Sequence, residues 1–337
     1  MTTTIKMGEA WEVCMRALEQ AGTPAGHAAT QTNLLLEAEL RGRASHGLLR
    51  LPRIIERIHN GVADPKTRGK AVWRSPAFLD LDGERGLGPV IALAALDQIR
   101  QRARETGIAI AAVSNNNHIG MLALYAEQVA REGQILLALS TSEALVHPWG
   151  GRRALIGTNP IAIGVPTEDE PFVLDMATSQ VAMGKIHDYA NHGRALEPGW
   201  ALDGAGNPTT DAAAAKSGAL APFGEAKGYA LGLAFELLVA SLTASALGTA
   251  VKGTLDSSAA CNKGDVFIVI EAGSGAVAAR ISAYLDEIRA CPALLPGRSV
   301  AVPGDRARAE RRQRLETGIE LADDVWHRIL DLAQCAA

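Results

Sequence analysis

The run Ser45-His46-Gly47-Leu48-Leu49-Arg50 puts an imidazole and a guanidinium four residues apart in an otherwise apolar stretch. An imidazole titrates near neutrality, so it suits proton transfer to or from an oxygen. A guanidinium fork suits a carboxylate, to which it gives two parallel charge-assisted hydrogen bonds. On a helix the two positions would share a face. A second imidazole, His118, follows a buried-strand run in Asn115-Asn116-Asn117-His118-Ile119-Gly120. Polar, glycine-ended strand termini are where α/β folds place reactive groups. The remaining histidines, His27, His59, His147, His187, His192 and His327, read as structural or surface residues.

Other polar clusters could serve a substrate or a cofactor. Gly157-Thr158-Asn159-Pro160 opens a strand and offers a hydroxyl and an amide, although Asn-Pro also favours a plain turn. The segment Leu174 to Lys185 leaves a strand through Asp175 into Thr178-Ser179, a shape that can wrap a ribose or present a helix start to phosphate. Lys227 falls at the start of a long apolar helix, where the helix dipole does not favour a cation; such a local conflict points to function. Pro303-Gly304-Asp305-Arg306 is an exposed turn bearing a cation.

The usual cofactor fingerprints fail. Gly273-Ser274-Gly275-Ala276 follows a strand and resembles GxGxxA, but no acidic residue ends a strand about 20 residues on. The glycines of Gly83 to Pro89 lack the required order, so neither a Rossmann nor a P-loop signature is present. No spacing supports a metal site or a GxSxG nucleophile. Cys14, Cys261, Cys291 and Cys335 are isolated, as in a reducing cytoplasmic compartment. The N-terminal residues contain no apolar secretory core. A net charge of −4 lacks the basic footprint of nucleic-acid binding.

The elements that must position these groups are legible in outline. Helices are expected over Glu9–Gln20, Pro24–Leu40 with Thr23 as its cap, Arg53–His59, Val90–Thr106, Met121–Glu132, Ala276–Cys291 and Thr317–Gln334. Strands are expected at 77–83, 108–114, 135–142, 161–167 and 172–178, with 265–271 as the last. The apolar stretch 228–248 is long enough to raise a membrane span, but Glu236 and small residues dilute it; it reads as a buried helix, at a subunit interface. Residues 191–224 read as a long surface loop. Interleaved strands and helices imply an α/β core, and 337 residues suggest about two domains.

Taken in order, SHGLLRLP, NNNHIG, PWGG, GTNPIAIGVP, LDMATSQVAMGK, LDGAGNPTTD, PFGEAKGYALGL and VPGDR resemble the second type of malate/L-lactate dehydrogenase, over roughly residues 10 to 325. The resemblance implies a non-Rossmann nicotinamide-dinucleotide fold with a mixed sheet, in an α/β (α+β mixed) class. A helical domain of N- and C-terminal segments (1–120 with 300–337) would accompany a dinucleotide domain (121–299). It implies a homodimer, NAD or NADP as cofactor, and a hydride moved to or from C2 of a small 2-hydroxy or 2-oxo acid. His46 and His118 match the active-site histidines. Arg50 matches the carboxylate clamp, with Thr158 and Ser45 also on the substrate. Pro171, Phe172, Val173, Leu174, Asp175, Met176, Ala177, Ala226, Lys227, Gly304, Asp305 and Arg306 match cofactor-contacting segments. PGDR, and the glutamate and alanine at Glu225 and Ala226, depart from many hydroxy-acid members. An NADPH-dependent reductase of cyclic 2-imino acids, or an N-alkyl amino acid dehydrogenase, is the second expectation. A non-catalytic nucleotide-binding protein is the third.

Overall fold

The computed structural model describes residues 2–273 and 275–334; Ser274 of the GxGxxA-like turn and Cys335 lie outside them. Strand β1 (Thr2–Ile5) leads into helices α1 (Met7–Gln20) and α2 (Ala25–Leu40). Helix α1 buries Ala10, Val13, Cys14, Ala17 and Leu18, the 3-and-4 spacing of one helical face. Helix α2 is buried on two sides. Leu34 belongs to the core of the central sheet, whereas Leu35, Leu36 and Leu40 belong to the core of the helical layer. Pro24 takes the cap position of α2; the expected cap, Thr23, has its hydroxyl buried without a partner.

Two short 3-10 turns, Ala44–His46 and Leu48–Arg50, precede α3 (Leu51–His59). Next come β2 (Lys70–Ser75), β3 (Phe78–Asp82), α4 (Gly88–Thr106), β4 (Ile108–Ser114), α5 (Ala123–Arg131), β5 (Gln134–Ser140), β6 (Ile161–Val165) and β7 (Phe172–Met176). Gly107, at φ 80°, ends α4 and turns the chain into β4. Residues 183–220 fold as α6 (Met183–Asn191), β8 (Ala201–Leu202), β9 (Pro208–Thr209), α7 (Ala212–Ala215) and β10 (Ala219–Leu220). The expected surface loop is thus a small lobe. Its three two-residue strands pair in the order β10-β8-β9, and Leu196, Ala201, Ala215 and Leu220 lie in its own apolar cluster.

The chain continues through α8 (Ala226–Thr243), β11 (Asp265–Glu271), α9 (Gly275–Arg289), α10 (Asp305–Thr317), β12 (Ile319–Ala322) and α11 (Asp323–Gln334). The central sheet has seven strands in the order β2-β3-β4-β11-β5-β6-β7. Only β3 and β4 run parallel; β11 is inserted antiparallel to both β4 and β5, with Asp265 opposite Val113 and Ser140. The sheet is therefore mixed, as the resemblance implied. β11 is not the last strand: β12 pairs with β1, joining the two ends of the chain, and the helix expected from Thr317 starts only at Asp323. Around that pair, α1, α2, α3 and α11 share one core, built from Leu18, Leu36, Leu51, Trp326 and Ile329 among others.

Helix α8 buries Gly228, Gly232, Glu236 and Val239, and it packs on the sheet where Val239 meets Leu139 of β5 and Val266 of β11. By length and composition it is apolar enough to cross a membrane. Within the single chain it is only partly covered: Leu231, Leu237 and Leu238 are exposed. Glu236 is locked in place by the amides of Gly157 (3.1 Å) and Gly248 and by the Asn159 side chain (2.7 Å).

Candidate active site

A narrow cavity opens at the C-terminal end of β4, between α2, the 3-10 turns, α3 and the start of α4. His46, His118 and Arg50 all line it, joined by Arg53, Arg57 and Asn117. The two imidazole centroids lie 5.4 Å apart. No aspartate or glutamate lines the cavity.

Each wall has a local cause. His46 and Arg50 were expected on one helical turn. Instead Gly47 (φ −95°, ψ −148°) breaks the helix between them into two 3-10 turns. Arg50 Nε donates to the Ser45 carbonyl at 2.6 Å, which closes the two turns and leaves both terminal nitrogens for a ligand. Behind Gly47 sits the Glu39 carboxylate. It accepts the Leu48 N–H at 2.7 Å, and burial raises its pKa to about 7. A Cβ at Gly47 would overlap that carboxylate. Gly47→Ala is therefore expected to push the His46–Arg50 turn off its seat and lower kcat/KM about 10²-fold, a loss read by steady-state kinetics against a melting curve; unchanged kcat/KM would show that the turn tolerates the shift.

The loop carrying His118 is held residue by residue. Asn115, at φ 49°, donates to Asp82 (3.1 Å). Asn116 donates to Asp265 (3.2 Å). Asn117 accepts from Arg57 Nε (2.9 Å) and donates to the Gly86 carbonyl (2.8 Å). Tyr125 donates to the Ile119 carbonyl (2.6 Å). Gly120, at φ 74°, packs where a Cβ would strike Leu34, and its N–H donates to His118 Nδ1 at 2.9 Å.

The electrostatics follow from enclosure and cation crowding. Burial, then Arg50 and Arg43, push the His46 pKa down to about 3. Burial, then Arg50, His46, Lys263 and Arg53, hold His118 well below the usual imidazole range. Burial, then Arg53, lowers Arg50 to about 10, which leaves it cationic. Beneath the loop, Lys263 Nζ meets both oxygens of Asp265 at 2.5 Å, both residues fully enclosed.

Cofactor-matched residues divide. Val173, Leu174 and Asp175 of β7 line a second groove together with Gly304 and Arg306. Asp175 also accepts the Ala123 N–H at 2.8 Å, at the start of α5, and burial raises its pKa. Arg43 and Arg306 line the groove with side chains that make no hydrogen bond or ion pair among the described residues, which suits a pyrophosphate or a ribose phosphate. The donor set therefore fits a dinucleotide. Pro171, Phe172, Met176 and Ala177 do not line the groove; the Pro171 carbonyl accepts from Arg308 (3.1 Å). Asp305 turns inward onto Arg289 (2.9 Å) and Arg308 (2.7 Å). Ala226 and Lys227 are exposed in the first turn of α8, away from both groove and cavity. Thr158 lines neither: its hydroxyl meets Ser142 at 3.2 Å. Ser45 also lies outside the cavity lining, with its hydroxyl 2.9 Å from His46 Nδ1.

Sequence reasoning missed Arg53 and Arg57, although their spacing from Arg50 marks one helical face. Asn117 was seen only as part of a motif. Lys263 and Asp265 gave no local signal.

Residues 5–330 match the family model described as malate/L-lactate dehydrogenase. The L-sulfolactate dehydrogenase of Methanocaldococcus jannaschii is 34% identical over 320 residues, covering 94% of this chain and 92% of that one. The (2R)-3-sulfolactate dehydrogenase (NADP(+)) of Chromohalobacter salexigens is 36% identical, covering 96% of each. The crystal structure of a dehydrogenase from Sinorhizobium meliloti superposes with a TM-score of 0.95 at 52% identity, covering 99% of this chain and 98% of that one. The chain belongs to the malate/L-lactate dehydrogenase family and is an NAD(P)-dependent oxidoreductase.

Proposed function

We propose that this enzyme interconverts a 2-hydroxy and a 2-oxo acid that carries a second anionic group, in the manner of malate or sulfolactate. One observation carries the reading. The cavity presents three arginines and two imidazoles with no carboxylate, and Arg57 Nη2 is buried there without a hydrogen-bond partner. A buried unpaired donor is costly, so it marks a place where a ligand oxygen belongs. Arg57 cannot turn away: Asn117 holds its Nε (2.9 Å) and the Asp256 carbonyl its Nη1 (2.6 Å). Arg50 takes the carboxylate beside the reacting carbon, while Arg57 and Arg53 take the distal anion. The relatives named for sulfolactate support the same charge pattern.

Arg43 and Arg306 would hold the phosphates of a nicotinamide dinucleotide, which when bound would supply or accept the hydride. The chain's own residues fix the acid through two cationic contacts and face its C2 oxygen with two imidazoles. The test is a panel of 2-oxo acids and cyclic 2-imino acids against both reduced cofactors, with Arg53→Ala alongside. The reading expects the doubly anionic acids to turn over fastest. Arg53→Ala should lower their kcat/KM by about tenfold and leave pyruvate-type monoanions nearly unchanged, as loss of one charge-assisted contact requires. Faster turnover of a cyclic imine would replace this reading with imino-acid reduction.

The exposed leucines of α8 support a homodimer closed over that helix; sedimentation at the mass of one chain would exclude it. Unpaired Cys14, Cys261 and Cys291 support a cytoplasmic site of action, which fractionation checks.

A further inference from the structure

The two short turns that carry His46 and Arg50 meet at Gly47 and Leu48. The Gly47 N–H donates to the Ala44 carbonyl (3.0 Å) and closes the first turn; the Gly47 carbonyl accepts the Arg50 N–H (3.0 Å) and closes the second. The Leu48 N–H opens the second turn, so it has no acceptor within that turn. Leu48 is fully buried, out of reach of water. Its acceptor comes from another element: Glu39 Oε1 of α2, at 2.7 Å. Gly47 permits this approach, since a Cβ there would lie on the carboxylate.

A serine or an asparagine could accept the same hydrogen without burying a charge. Glu39 is fully buried, and its Oε2 has no hydrogen-bond partner. The charged neighbours are committed elsewhere. Arg314 of α10 donates from Nη1 to the Glu39 backbone carbonyl (2.8 Å) and from Nε to Glu310 (2.6 Å). Glu37, two residues earlier, is tied to Arg41 (3.1 Å) and Arg311 (2.7 Å). Cys14 of α1 faces the carboxyl with a thiol that burial pushes up to about 12, which keeps it neutral. A buried carboxylate held by one amide is destabilising. Yet the ionised form has one advantage at this place: it grips an amide roughly twice as strongly as a neutral acceptor does.

We propose that Glu39 is a positioning residue for hydride transfer: its ionised carboxylate fixes the Gly47–Leu48 link, and through it His46 and Arg50, and the site loosens when that charge is lost. The assignment rests on the cavity being the substrate site. Glu39 lies outside the cavity lining, so it acts through the turn. Burial raises its pKa to about 7, against the downward pull of the Leu48 amide and Arg314. Its charge is therefore lost near neutrality, where His46 and His118 are already neutral. Activity and stability then oppose each other. The turn is held best by the charged form, whereas the fold favours the neutral one. The folded pKa lies above the ordinary carboxyl value of 4.5, so the group's contribution to stability is full below that pH and is lost as pH rises to about 7.

The experiment compares the unsubstituted enzyme with Glu39→Gln and Arg50→Ala from about pH 5 to pH 9, reading kcat/KM and melting temperature. A glutamine fills the same space and still offers an oxygen to the Leu48 amide, but it cannot ionise. Dividing the parent's kcat/KM by that of Glu39→Gln cancels the proton that the reaction itself takes up or releases. The ratio should be near one at the acid end, pass its half-point near pH 7 and level off at about tenfold, the difference between a charged and a neutral acceptor. Over the acid half of that span the parent's melting temperature should fall relative to that of Glu39→Gln.

A ratio that does not change with pH would overturn the proposal, whether it stays near one or Glu39→Gln loses activity and melting temperature together, as a merely structural contact would. Arg50→Ala separates this from the reading beneath it. If Arg50→Ala is impaired while Glu39→Gln matches the parent, the positioning role alone fails. If both variants are fully active at every pH, the cavity is not the substrate site and the proposal falls with it.

Discussion

Arg50→Ala should lower kcat/KM for the preferred 2-oxo acid by roughly 30-fold to several thousand-fold, the equivalent of about 2–5 kcal/mol for truncating one partner of a desolvated charge pair. The residue has two tasks. Its terminal nitrogens face the cavity, and its Nε holds the Ser45 carbonyl at 2.6 Å, next to His46. Arg50→Lys should recover little, because an ammonium cannot grip a carboxylate at two points and the turn at once. The substitution also carries an electrostatic signature. Arg50 is one of the cations that depress His46, after burial itself. Removing it raises the His46 pKa. The depressed value means His46 is uncharged above about pH 3 in the intact enzyme; in Arg50→Ala the acid limb of oxidation moves upward from there. Steady-state kinetics over pH measures both effects. A loss below about fivefold, with no movement of the acid limb, would show that Arg50 does not face the substrate.

The second large effect concerns stability. Asp265→Ala should destabilise the fold by about 3–5 kcal/mol, because it leaves the Lys263 ammonium buried without its counter-charge. That is a large share of the roughly 5–15 kcal/mol that holds a native protein together. Asp265 also accepts from Ser140 Oγ (2.7 Å) and Asn116 Nδ2 (3.2 Å), so the loss reaches the loop that carries His118. Replacing both partners, as Lys263→Met with Asp265→Asn, should restore most of the stability, since no lone charge remains. Denaturant midpoints of the single and double variants decide the matter. A single variant within about 1 kcal/mol of the parent would mean that water reaches Lys263.

Much of the site was legible because its chemistry is local. The SHGLLR and NNNHIG runs announce themselves by residue type, and the structure brings His46, Arg50 and His118 into one cavity. The expected geometry was partly wrong for a local reason too: Gly47 breaks the helix that was to align His46 with Arg50. Helix α10 escaped periodicity because it is polar all round and has no buried residue. It is held by charge, through Arg311 to Glu37 (2.7 Å) and Arg314 to the Glu39 carbonyl (2.8 Å). Strands β8, β9 and β10 have two residues each, too few to show alternation. β1 and β12 find each other across the whole chain, which no local window reports. The Lys263–Asp265 pair was invisible for the same reason: its enclosure is created by β4 and β5, some 125 to 150 residues earlier.

The late insertion of β11 bears on biosynthesis. A ribosome delivers β4 and β5 long before residues 265–271, and until that segment arrives the two have no direct pairing with each other. The nascent chain must carry two open strand edges through that interval, the kind of surface that recruits chaperones or seeds clumping. Closure of the sheet and fastening of the His118 loop to Asp265 then coincide, so this catalyst acquires its scaffold and its chemistry in one late step of synthesis.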